Sequence, residues 1–244
     1  MNIVVLASRG SVQDDSNFPP NLLLELNNKL LLEHFLDRFN FSGKFKIIFV
    51  VDKEDVEKHK IDKVINMSTN MDVSVAVVNT VTKGALCSFM LSVDYLNIDD
   101  ELLILNSNEL VNTDFQKAID EFHNLNSDAG VITFDSIKPI YSYVQIDQDQ
   151  NVLFASEKNP ISRNATAGFY WYKSTKNFLE CAENSIMKND SHNDTFFICP
   201  VFNQLILKGN KISALEIDNE KYIPIKSNFH KEKLILETGG NKWN

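Results

Sequence analysis

The sequence predicts an α/β protein of three layers, a mostly parallel central sheet with helices on both faces and a mixed extension in the C-terminal part. Short apolar runs rich in β-branched residues alternate with longer amphipathic stretches through the first half, the pattern of βαβ units. After Ala129 the alternation stops and strand-like runs follow one another, joined by polar turns. With 244 residues and 43% hydrophobic content, the chain has enough apolar material for one substantial core.

In the first half, strands are predicted at Asn2 to Ala7, Lys46 to Val51, Val73 to Asn79 and Glu101 to Asn106. Helical patterns separate them at Lys29 to Phe39, Gly84 to Tyr95 and Asp114 to Leu125, the last with Ala118, Ile119, Phe122 and Leu125 at helical spacing. Right-handed crossovers then place helices on both sheet faces. The stretch Asp52 to Asp62 reads as an exposed helix with interleaved opposite charges. Further strands are predicted at Gly130 to Asp135, Tyr141 to Ile146, Asn151 to Ser156 and Thr166 to Tyr172. Helices at Ser174 to Lys188 and through Phe196 to Leu207, interrupted by Pro200, precede a last strand at Lys211 to Ile217. No repeat or composition break marks a second domain, so one domain over 1–244 is expected, with halves 1–128 and 129–235 and a frayed tail at 236–244.

A net charge of -9 argues against a general nucleic-acid binder, which gains affinity by neutralising phosphates with clustered Lys and Arg. Any phosphate site must be local. The opening residues lack the basic region of a signal peptide, and no apolar run is long enough to span a membrane. Cys87, Cys181 and Cys199 are odd in number and widely spaced, which suits reduced thiols in a cytoplasm. The five histidines have no metal-binding spacing, and His34 reads as a packing residue.

Four features are candidates for chemistry. The first strand ends in Leu6-Ala7-Ser8-Arg9-Gly10-Ser11, where small residues at the carboxyl edge of a parallel sheet let backbone N–H groups approach an anion. An ordinary strand-to-helix turn has the same composition. Thr82, Gly84 and Ala85 sit at a second strand-to-helix junction, suited either to a base or ribose at a helix N-terminus or to a helix cap at Thr82. Glu157 and Lys158 end a strand, and from the residues alone would be a solvated pair. Gly168 inside a strand pattern signals close approach of a ligand or backbone, or a bulge.

In their order along the chain these segments resemble the sugar-phosphate nucleotidyltransferases. The opening followed by Asn21 to His34 resembles that family's A-G-x-G-x-R loop and P-K-P-L-x-x-V-x-G-K-P-x-x-x-H segment. Thr82-Lys83-Gly84-Ala85 resembles T-x-G-A-A, Leu103 to Asn108 resembles L-x-x-N-S-D, and Glu157-Lys158 resembles the E-K pair; Ile161-Ser162, Ala165 to Tyr170 and Phe197 to Asn203 are similar too. The resemblance implies a Rossmann-like, GT-A-like nucleotide-diphospho-sugar transferase fold, with a nucleotide-binding first half and an acceptor-binding second half. It also implies transfer of a nucleoside monophosphate from a triphosphate, with a pyrimidine favoured, to a sugar phosphate or related metabolite, as in capsule or surface-polysaccharide biosynthesis.

Under that resemblance Leu6 to Ser11, Thr82, Gly84 and Ala85 bind the nucleotide, Arg9 is the catalytic cation, and Glu157, Lys158 and Gly168 bind the acceptor. The family's loop Arg falls on Val12, its P-K-P Lys on Asn21 and its Mg²⁺-binding Asp on Asn108, a weaker neutral ligand. A later acidic metal ligand has no clear counterpart, though Asp218 and Glu220 lie near its place; Glu109 is expected to point elsewhere on an extended backbone. Two readings stay open: a divergent enzyme, or a catalytically silent relative that binds a nucleotide, sugar phosphate or protein as a regulatory or scaffold subunit. A glycosyltransferase of the same fold ranks last, since Asn106-Ser107-Asn108 is not an Asp-x-Asp motif. A homo-oligomer is compatible with either.

Overall fold

A computed structural model of the chain describes residues 1–8 and 18–237, with 233–237 as backbone only. The β-branched runs form strands as expected: β1 (Asn2–Leu6), followed by a small hairpin of β2 (Glu25–Leu26) and β3 (Lys29–Leu30), then α1 (Leu31–Leu36) and β4 (Lys46–Asp52). The charged stretch after β4 is two helices, α2 (Lys53–His59) and α3 (Ile61–Met67), broken at Lys60, whose φ is 54°. A left-handed residue cannot continue a right-handed helix. The single exposed helix expected there is thus corrected, and Asp55 in α2 is buried.

Next come β5 (Val73–Val78), α4 (Ala85–Met90), β6 (Leu102–Asn106), β7 (Glu109–Val111) and α5 (Phe115–Asn124). α5 starts at an N-cap, Asp114, whose side chain accepts from the Lys117 amide at 3.0 Å. The second half contributes β8 (Ala129–Asp135), β9 (Ser142–Ile146), β10 (Val152–Glu157) and β11 (Asn164–Tyr172), then α6 (Thr175–Met187), α7 (Val201–Leu207), β12 (Ile212–Glu216), β13 (Tyr222–Pro224) and α8 (Asn228–Glu237). Pro200 is the N-cap of α7. It starts the helix, where its missing N–H costs nothing, so the predicted helix from Phe196 shortens.

Nine strands make one sheet in which β5, β4, β1 and β6 run parallel, while β11 joins β6 antiparallel to β8 and β9. Alternation along β1 divides the core: Ile3 and Val5 face one side, Val4 and Leu6 the other. The first side packs buried residues of α1, α3 and α5, and the second packs α4, α6 and α7. This is the predicted three-layer α/β/α arrangement. Asn2 is buried in the first strand because its side chain bonds Asn97 O and Thr175 Oγ1, tying β1 to the start of α6.

Gly130 in β8 shows how closely the layers meet. A Cβ there would lie 2.4 Å from the ring of Phe122 in α5, and Phe122 is stacked on Trp171 with centroids 5.6 Å apart. Gly130→Ala is therefore expected to destabilise the fold by about 1–3 kcal/mol through overpacking. Urea unfolding measures this; an unchanged midpoint would contradict the packing described.

Candidate functional site at the carboxyl ends of the strands

Where parallel strands end, their loops leave a crevice lined by backbone N–H groups. Leu6 at the end of β1 is in register with Asn106 at the end of β6, and the Ser107 amide donates to the Leu6 carbonyl at 2.9 Å. The segment begun by Ala7 and Ser8 therefore leaves the sheet beside the turn Asn106 to Glu109. Arg9, Gly10, Ser11 and Val12 lie outside the described residues.

The turn does not keep the backbone extended. Ser107 and Asn108 reverse its direction, and Glu109 swings inward, 3% exposed. Its Oε1 accepts from Asn106 Nδ2 at 2.9 Å; its Oε2 accepts from the Tyr222 hydroxyl at 2.6 Å and lies 3.1 Å from Lys226 Nζ. Glu109 thus faces Asn106, Tyr222 and Lys226. Burial, then the charge of Glu109, pushes the Tyr222 phenol well above its ordinary value, which keeps it a donor.

Gly168 explains how an acid fits there. Its φ is +67°, and a Cβ would fall 2.1 Å from Glu109 Oε1, so the missing side chain is the room the carboxylate occupies. The close approach expected at Gly168 is thus made by a side chain, and the register of β11 on β8 shifts between Thr166 and Tyr170.

Glu157 ends β10, 8% exposed, with the Ser142 hydroxyl donating to its Oε2 at 2.5 Å. It is not the solvated acid that the residues alone suggest. Burial raises its carboxyl above the usual range, while Ser142, Lys226 and Lys158 act to lower it. Lys158 takes a left-handed φ of 52°, donates its amide to Tyr141 O at 2.9 Å and holds its ammonium 5.0 Å from the Phe197 ring. Lys226 likewise lies 5.6 Å from the Tyr141 ring. Asn108, Glu157 and Gly168, all singled out from sequence, thus meet around Glu109 and Lys226, which sequence reasoning passed over.

Thr82, Gly84 and Ala85 lie at the start of α4, which packs against β1. Gly84, at φ +107°, is the N-cap in place of Thr82, whose hydroxyl bonds Gly84 O and Ser88 Oγ. A Cβ on Gly84 would lie 2.4 Å from Phe196 O, and the Leu86 amide donates to that same carbonyl at 3.1 Å. The small residues therefore serve close backbone packing, and part of the expected anion-facing helix start is already bonded. Asn21 opens a 3-10 turn, Asn21–Leu23. His34 is buried with Nε2 bonded to Leu26 O at 2.8 Å, as a packing residue should be.

A divalent ion at Asn108 finds a poor donor set. Asn108 Oδ1 is buried with no hydrogen-bond partner, which favours a ligand there. Yet the described residues contain no group of three or more His, Cys, Asp or Glu that could hold a metal, and Glu109 is already engaged by two hydrogen-bond donors and an ion pair with Lys226. Asp218 pairs with Lys221 and is 83% exposed on its side chain. One amide oxygen does not make a Mg²⁺ site, so these residues do not fit a resident divalent ion.

Residues 16–222 match the family profile described as nucleotidyl transferase. Among curated proteins none matches the chain in sequence. Among solved structures, a nucleoside-diphosphate-sugar pyrophosphorylase from Vibrio cholerae RC9 superposes with a TM-score of 0.80 at 18% identity, covering 97% of this chain and 100% of that one. A Bacillus anthracis protein assigned as a glucose-1-phosphate thymidylyltransferase, in complex with a sucrose, gives 0.77 at 15% identity over 100% and 99%. HddC from Yersinia pseudotuberculosis gives 0.65 at 19% over 97% and 98%. These likenesses establish the fold.

Glu157 also sets a pH dependence. Its pKa is raised on folding, so between the ordinary carboxylate range and that raised value the folded state holds more protons than the unfolded one, and stability falls as pH rises. Glu157→Gln should remove that fall: variant and wild type converge at low pH, and the variant gains relative stability as pH climbs through the window. Parallel melting-temperature profiles from pH 4 to 8 would contradict the assignment.

Proposed function

The chain belongs to the nucleotidyl transferase family, and from that premise we propose that it joins a nucleoside monophosphate, drawn from a pyrimidine nucleoside triphosphate, to a sugar phosphate or related phosphorylated metabolite. The observation that carries the proposal is the grouping of Asn108, Glu157 and Gly168 beside the end of β1. A neighbour described as a nucleoside-diphosphate-sugar pyrophosphorylase supports a sugar phosphate as acceptor. A role in capsule or surface-polysaccharide biosynthesis follows from the same reading.

The chemistry needs no general base, because an ionised phosphate is already a nucleophile. An acceptor phosphate oxygen forms the new bond to the α-phosphorus, the bond from that phosphorus to the α–β bridging oxygen breaks, and pyrophosphate leaves with the electron pair. Catalysis is then positioning and charge stabilisation. In this proposal the segment from Leu6 to Ser11 receives the triphosphate with Arg9 as its cation, and Thr82, Gly84 and Ala85 border the nucleoside. Glu157 accepts from an acceptor hydroxyl, oriented by Ser142, and Lys158 meets the acceptor phosphate.

A second reading, a silent relative that binds the same ligands without turnover, is favoured by one observation: Val12, Asn21 and Asn108 stand where the family carries charge. Pyrophosphate release from CTP, UTP or dTTP with a panel of sugar phosphates separates the two. Release above a buffer blank is expected; none, with no thermal shift by any triphosphate, overturns the transferase reading. Lys158→Ala should raise the acceptor KM about tenfold, the effect of losing one charged hydrogen bond, with triphosphate binding nearly unchanged. Equal loss of both would place Lys158 elsewhere.

A further inference from the structure

Among the described residues the donor set around Asn108 is poor for a divalent ion, and beside it stands a positive charge that belongs to the chain. Lys226 follows Ile225, whose amide donates to Asn108 O at 2.8 Å, so the lysine is anchored to the turn where a metal was expected. Its side chain is 19% exposed and that of Glu109 2%. A lysine usually extends into water; this one is drawn inward to a carboxylate and the face of Tyr141. An ammonium has three N–H donors, and its contact with Glu109 Oε2 is an ion pair at 3.1 Å.

We propose that Lys226 is the resident cation of this site: its ammonium binds the phosphate groups of the ligand, so that anion binding does not require a divalent ion. The identity of the anion rests on the nucleotidyl-transfer reading. Several observations converge. Tyr222 and Asn106 hold Glu109 in place independently of Lys226, so the counter-ion is fixed before a ligand arrives. Asn106 is in register with Leu6, which puts the ion pair next to the segment leaving β1. Asn108 Oδ1, buried and without a hydrogen-bond partner, is an unsatisfied polar atom on the same turn. Glu157, buried and bonded by the Ser142 hydroxyl, also lies within the electrostatic reach of Lys226. Lys158 supplies the remaining cation near Glu157.

Pyrophosphate is the probe, measured by isothermal titration on the full chain in EDTA and in Mg²⁺, with circular dichroism to verify folding. The wild type should bind in EDTA with a Kd within about threefold of that in Mg²⁺. Lys226→Met should weaken binding at least tenfold in both media, and Lys226→Arg should restore most of it, as expected for loss and replacement of a charged hydrogen bond. If Lys226→Met fails to fold because Glu109 is left unpaired, the double variant Glu109→Gln with Lys226→Met removes both charges and should show the same loss. Binding only in Mg²⁺, no binding at all, or binding indifferent to the loss of Lys226 overturns the proposal. Lysine-dependent binding in EDTA without turnover of any triphosphate would uphold Lys226 and sink the transferase reading. Turnover that is strictly Mg²⁺-dependent and blind to Lys226→Met would do the reverse.

Discussion

The buried carboxylate of Glu109 is the constraint on which the rest of the site depends. An acid placed out of water costs several kcal/mol unless its oxygens are bonded and its charge is met. Three elements meet that cost together: Asn106 before the turn, Tyr222 on β13 and Lys226 just after it. A fourth, β11, yields space by having Gly168 where any side chain would collide. Removing one partner of such a pair typically costs about 3–5 kcal/mol, so residues 222–226 cannot leave without stranding the acid. This explains why β13 pairs with β7, in a two-stranded sheet apart from the main one.

The same segment is held by aromatic packing that links the two parts of the main sheet. Tyr222 stacks on Phe134 of β8 with centroids 3.9 Å apart, and Tyr141 meets Phe134 edge-on at 5.1 Å. Tyr141 receives the Lys226 ammonium over its ring, and its carbonyl accepts the Lys158 amide. Tyr141 thus touches both lysines near Glu157, Lys226 through its ring and Lys158 through its backbone carbonyl, while the Lys158 ammonium rests on Phe197.

Much of the scaffold was legible in the sequence because each long strand satisfies a local rule. Val73 to Val78 and Leu102 to Asn106 are apolar runs of strand length bounded by polar turns, and α5 carries its apolar residues at helical spacing. The hairpin of β2 and β3 and the strands β7 and β13 have only two or three residues, too few to show a period. α8 lacks an apolar stripe and was not anticipated. Glu157 and Gly168 could be picked out as candidates, but Glu109 and Lys226 could not. Their inward turn depends on the reversal at Ser107 and Asn108 and on a strand pairing that joins residues 109 and 224, neither visible in local spacing. The one available signal was indirect: a glycine inside a strand needs an occupant for the space it leaves, and that occupant is Glu109.

Positions 108 and 226 are tied through the backbone, the Ile225 amide donating to Asn108 O at 2.8 Å. A divalent ion about 4 Å from an ammonium would be repelled by about 8 kcal/mol at an effective dielectric near 20, roughly the attraction of one carboxylate at the same distance. With Lys226 in place, an aspartate at 108 would find a cation already present and would become its second counter-ion. A neutral Asn108 leaves the ammonium with Glu109 as its close carboxylate partner and with donors directed by that single contact. The C-terminal segment reaches a second part of the chain too, where Lys231 of α8 lies 5.6 Å from the ring of Phe18, three residues before Asn21. Residues 222–231 thus bring one lysine to the ring of Tyr141 and another to that of Phe18.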